Sequence, residues 1–173
     1  VRFDKITFAA HCTAALIYLL KMQRDAVGLT IFSEKIDLHT PSRSSSVHLK
    51  RLFNVLEAML FSKEQNKKTF AVEALHEIAE NIHKRSLVLI FSDMMDNSEK
   101  QTNEVFSALN HLKHNKHEVI LFHVTDKKKE LDFEFDNRPY TFIDLETGEQ
   151  VKAFPNEVRE HYVKSISDYE KEL

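Results

Sequence analysis

The side chains best placed for chemistry gather where an apolar run breaks off. The run Leu87-Val88-Leu89-Ile90-Phe91 ends in Ser92-Asp93, and Met94-Met95-Asp96-Asn97-Ser98 follows. An unbroken Leu/Val/Ile/Phe stretch of strand length predicts a strand buried on both faces, as in a parallel sheet between helices. Ligands of such sheets sit beyond the carboxyl ends of the strands. Asp93 therefore stands at a predicted rim, where a carboxylate holds a metal ion or activates a nucleophile; its purely structural role would be to cap the next turn. Met94 and Met95 at the same rim predict a partner-binding surface, because thioether side chains adapt to varied shapes. Their structural alternative is packing beneath the following helix.

Other chemistry-bearing residues are more loosely arranged. His111, His114 and His117 recur every third residue, and the first two share a helical face suited to a transition metal. No cysteine or carboxylate cluster completes a ligand set beside them, so a solvated helix end is the stronger expectation. His76 and His83 stand two helical turns apart, too far for one small ion. Asp126-Lys127, after a second apolar run, offers Asp93 the carboxylate and lysine that phosphoacceptor and phosphohydrolase sites use. No DxDx(T/V) signature supports that chemistry. The lone Cys12 lies in an apolar helical stretch and reads as a small core residue.

Composition narrows the classes further. With 173 residues the chain has the size of one domain, 1–173. A formal charge of −3 and a pI of about 6.4 supply no net drive toward nucleic acid or an anionic membrane surface. The short basic clusters His48-Leu49-Lys50-Arg51 and Lys127-Lys128-Lys129 read as solvated surface. No apolar stretch reaches the length of a membrane span, and the expected compartment is the cytoplasm. Gly28 and Gly148 are the two glycines, too few for the GxGxxG or Walker loops that bring backbone against phosphate.

The elements that must position these residues follow from periodicity. Helices are predicted over 3–22, 47–60 with Ser46 as N-cap, 69–83, 98–115 and after Pro155. Strands are predicted over 27–32 and 36–40, joined as an antiparallel hairpin, and over 87–91, 117–124, 140–145 and 151–154. Strands alternating with helices predict an α/β, doubly wound, mostly parallel sheet with helices on both faces. Such a fold opens with a strand, whereas this chain opens with a helix, so a fragment of a longer protein lacking its first strand is expected.

The ordered series Tyr18-Leu19-Leu20 through Arg24-Asp25-Ala26-Val27-Gly28-Leu29, Phe32-Ser33, His48-Leu49-Lys50-Arg51-Leu52, Arg85 through Asp93, His117 through Val124 and Asp144-Leu145-Glu146-Thr147-Gly148-Glu149 spans nearly the whole chain. It resembles the von Willebrand factor A-like domain, in the uncharacterised bacterial branch associated with MoxR-type AAA+ ATPases. The resemblance implies a Rossmann-like fold and a divalent cation held by a DxSxS triplet, a threonine and a strand-terminal aspartate. Asp93 matches the aspartate and Thr69 the threonine, while the triplet is absent and Phe70 stands where many relatives have Asp. Mg²⁺ or Mn²⁺ is the implied cation, in an incomplete site, since hard cations require several oxygen ligands.

The resulting expectation is a non-catalytic protein-interaction module working with a MoxR-type ATPase on protein clients in assembly, maturation or stress handling. A phosphohydrolase-like or phosphoacceptor enzyme centred on Asp93 is the alternative. A structural module that binds neither metal nor ligand is the third reading.

Overall fold

The computed structural model describes residues 4–33, 35–61, 71–93, 99–143, 148 and 150–172. In chain order the elements are α1 (Lys5–Met22), β1 (Val27–Phe32), β2 (Ile36–Arg43), α2 (Ser46–Phe61), α3 (Ala71–Asn81) and β3 (Leu87–Ser92). They continue with α4 (Glu99–His114), β4 (Glu118–His123), a π-helical turn (Lys127–Leu131), β5 (Tyr140–Ile143), β6 (Gln150–Ala153) and α5 (Pro155–Glu172). The chain divides into two compact units, Val1–Val124 and Thr125–Leu173.

The strands do not assemble into the expected doubly wound parallel sheet. Among the described residues they form three separate pairs: β1–β2 antiparallel, β3–β4 parallel and β5–β6 antiparallel. The reason is local pairing. β1 and β5 each pair with the next strand along the chain, which satisfies the backbone groups facing inward and leaves the outer edges unpaired. Among the described residues, β3 and β4, separated by α4, are the pair that adopts the parallel arrangement, in an unbroken register from Leu87↔Glu118 to Ser92↔His123.

The expectation of a strand buried on both faces also fails for β3. Ile90 is buried, but Leu87 is 48% exposed, and Ile120, the β4 partner of Leu89, is 46% exposed. β4 alternates strictly between exposed and half-buried positions, as a strand covered on one face does. On the open face the Phe91 and Phe122 rings stack with centroids 4.5 Å apart.

Hairpin β1–β2 is built around a bulge. Its register shifts between Val27 and Leu29, and β2 runs on through Pro41 to Arg43, beyond the predicted end at Thr40. Pro41 has no N–H for a ladder, and such residues are accommodated at bulges and edges. Gly28 is required there: a β-carbon would lie 2.6 Å from the Thr40 carbonyl oxygen, a backbone atom that cannot swing aside. Gly28→Ala is therefore expected to destabilise the chain by about 1–3 kcal/mol, the usual cost of overpacking. A urea midpoint unchanged from wild type would contradict that strain.

Around this hairpin, α1 and α2 contribute Ala10, Ile17, Leu49, Leu52 and Leu56 to a core that also buries Val27. His48, expected on a solvated basic surface, is buried instead, its Nε2 donating to the Val27 carbonyl at 2.9 Å. Ser45 rather than Ser46 caps α2, its Oγ accepting from His48 N–H at 3.3 Å. α3 and α4 pack together and bury Ala74, Leu75, Ile78 and Ala79 on one helix and Val105, Ala108 and Leu112 on the other.

Basic residues stand where helices usually end in glycine. Arg24 and Lys116 adopt φ of 65° and 66° just past α1 and α4. The following amides, Asp25 N–H and His117 N–H, return to the Leu20 and Leu112 carbonyls. These are Schellman closures, with the positive side chains near the negative helix ends offsetting part of the left-handed strain.

The second unit is organised by rings. Phe133 is buried, with Phe135, Phe142 and Tyr162 at centroid distances of 4.8, 5.6 and 4.4 Å. Lys129 lies over the Phe135 ring at 4.1 Å. Pro155 is fully buried and opens α5, where its missing N–H costs no hydrogen bond.

Candidate functional site

Asp93 follows β3 directly, at the carboxyl end of the parallel pair, as expected. Its Oδ2 accepts a hydrogen bond from Lys5 Nζ at 2.7 Å. Both side chains are roughly a third exposed, 35% for Lys5 and 39% for Asp93. The Asp93 backbone carbonyl accepts from His123 Nε2 at 2.9 Å, which places a hydrogen on that ring nitrogen. His123 ends β4 opposite Ser92, so the two strand ends are tied to each other beyond their ladder.

Lys5 is held there by the start of α1. Asp4 caps that helix, its Oδ1 accepting from the Thr7 N–H at 2.7 Å. The hydrogen bonds to Thr7 keep the Asp4 carboxyl below its ordinary value. A lowered folded value means that the cap's contribution is present above the ordinary aspartate range and is lost as pH falls through the folded value. Lys5 is the first helical residue and no acidic residue lies in the first turn, so its charge faces the positive end of the helix dipole. Asp93, from the far side of the sequence, supplies the compensating carboxylate.

Thr69, Met94 and Met95, the other predicted site residues, lie outside the described residues. Asp126 acts as a cap: its Oδ1 accepts from the Lys128 and Lys129 N–H groups at the π-helical turn. His111, His114 and His117 are not gathered into one ligand set. His111 faces His76 and Glu80 across α3 and α4, and His114 is exposed. His117 is buried, with Nδ1 accepting from the Ser86 N–H at 3.2 Å and no partner for Nε2 among the described residues. Cys12 is a half-buried free thiol.

The sequence reading missed Lys5 and His123 as rim residues. Lys5 stands 88 positions from Asp93, and no local spacing reports such a contact.

Over residues 1–172 the chain matches a family described as Protein of unknown function DUF58. The chain belongs to the DUF58 family. No curated protein and no solved structure matches it.

The described part of this DUF58 chain fits a divalent cation poorly. Mg²⁺ and Mn²⁺ call for an octahedron of oxygen donors, whereas Asp93 brings one carboxylate already engaged with an ammonium group. Among the described residues no three His, Cys, Asp or Glu side chains come together as a metal-holding group. Among them, too, no helix is long and apolar enough to cross a membrane.

Proposed function

We propose that this DUF58 chain is a non-catalytic, cytoplasmic protein-interaction module that engages its partner through Asp93, Met94 and Met95. In this reading it works beside a MoxR-type AAA+ ATPase in assembly, maturation or stress handling of other proteins. The observation that carries it is the Lys5–Asp93 ion pair. A nucleophilic carboxylate needs an accessible oxygen and further acidic groups, or a metal, to manage a phosphoryl group. Here the carboxylate is neutralised by an ammonium on a partly exposed rim, which suits recognition of polar groups on a protein partner. The ATPase partner rests on the resemblance of the series from Tyr18 to Glu149.

The test is a calorimetric titration of the chain with a purified MoxR-type ATPase, using wild type, Asp93→Ala and Met95→Glu. Each variant is expected to bind at least about tenfold more weakly, a loss of about 1.4 kcal/mol. Capture is expected to be the same with Mg²⁺, with Mn²⁺ or with chelator. Equal binding by all three proteins overturns the rim. Hydrolysis of a simple phosphoester that disappears in Asp93→Ala establishes the phosphohydrolase alternative in its place.

A further inference from the structure

α3 and α4 are joined by a chain of polar side chains as well as by their apolar faces. His76 Nδ1 and His111 Nδ1 lie 3.0 Å apart, with ring centroids at 5.2 Å and planes tilted by 45°. On the other side of its ring, His111 Nε2 is 3.0 Å from Glu80 Oε1. Nearby, Asn115 Nδ2 donates to the Ala79 carbonyl at 3.0 Å, which fixes the helices in the same register.

The partners assign the protons. An ionised carboxylate only accepts, so His111 carries hydrogen on Nε2 and, when neutral, presents a lone pair at Nδ1. His76 must then donate from Nδ1, leaving its own Nε2 as an acceptor. We propose that Glu80, His111 and His76 form a proton relay that makes closure of α3 on α4 sensitive to acid, tolerating one added proton and opening on the second.

The first proton enters at His76 Nε2. The ring becomes an imidazolium, its Nδ1–H still donates to His111, and both contacts survive. The second can enter only at His111 Nδ1, the atom accepting from His76. Two N–H groups and two positive charges would then face each other at 3.0 Å, and the bond is lost. Separated rings have no such conflict, so the open state accommodates one proton more than the closed state. Closure is thus favoured at neutral pH and lost as pH falls.

The surrounding charges set the balance. On α3, Glu73, Glu77 and Glu80 flank His76; on α4, Lys113 and His114 follow His111, and Glu104 lies two turns earlier. β4, which packs on α4, contributes Glu118 and His123, with His117 leading into it. Glu80 is the carboxylate that reaches the pair.

Two measurements on the whole chain test this. Long-range ¹H–¹⁵N spectra of the imidazoles at neutral pH are expected to show hydrogen on Nε2 of His111 and on Nδ1 of His76, the less common form of free histidine. Hydrogen on Nε2 of both rings overturns the relay without need of any variant. Amide protection factors at the buried α3–α4 positions are expected to fall by up to about tenfold per pH unit through the acid range, one extra proton being bound on opening. The slope should flatten in His76→Phe, which leaves a single histidine at the contact. A wild-type slope of zero, or the same slope in His76→Phe, overturns the acid sensitivity.

Discussion

Thr40→Val is expected to cost about 2–4 kcal/mol, although it exchanges side chains of nearly equal shape. Thr40 is buried on β2, and its hydroxyl replaces the ladder at the bulge: Oγ1 accepts from Leu29 N–H at 2.8 Å and donates to the Leu29 carbonyl at 3.0 Å. One oxygen thus satisfies both backbone groups of Leu29. Valine keeps the volume and strands both. Each buried group left without a partner costs about 1–3 kcal/mol, and the half-buried position of Leu29 lets water recover part of that. Thr40→Ser keeps the hydroxyl and loses a methyl group, so it is expected to cost about 1 kcal/mol. Urea unfolding of the two variants beside wild type decides the matter: serine as damaging as valine would show that packing, not the hydroxyl, holds the bulge.

That hairpin also shows where sequence patterning stops being informative. Alternation and turn residues located β1 and β2 and their antiparallel pairing, but the fold class required knowing which strands share a sheet. Periodicity reports which face of a strand is apolar and is silent about its lateral neighbour. The inference from alternating strands and helices to one parallel sheet therefore overreached, since β1–β2 and β5–β6 each close locally. The apolar run of β3 misled in a related way. Leu87 and Leu89 belong to the open face that includes Ile120, so continuity of apolar residues did not mean burial on both sides. The cap of α2 was displaced by one position because three serines stand in succession, and only the direction of the Ser45 side chain separates them.

The candidate site divides along the same line. The position of Asp93 at a strand end was legible, because an apolar run that stops in Ser-Asp marks that end. Its ionic partner was not, since a helix start meets a strand end only after the chain has folded. The histidines teach the same lesson: spacing grouped His111 with His114 and His117, neighbours along the chain, whereas its ring meets His76 and Glu80 on another helix. His48 was hidden by Lys50 and Arg51, which made a basic surface the natural reading of a segment whose first residue turns inward to the Val27 carbonyl.

Leu112→Ala is expected to destabilise the first unit by about 2–5 kcal/mol, the range for deleting three buried carbons from a close-packed site. Leu112 is fully buried in the last turn of α4 and lies in line with Ala108 and Val105 along the face that α4 buries. Leu75 and Ile78 are buried on α3 beside Ala74 and Ala79, so where the loss falls within the range depends on how far those larger side chains relax into the cavity. The backbone of Leu112 should stay in place, because its carbonyl accepts the His117 N–H in the Schellman closure. The loss is therefore of packing rather than of helix termination. Leu112→Met, which conserves most of the volume, should recover all but about 1.5 kcal/mol. Urea denaturation of the three proteins checks both values; an alanine variant within about 0.5 kcal/mol of wild type would mean that α3 and α4 are held together chiefly by their polar contacts.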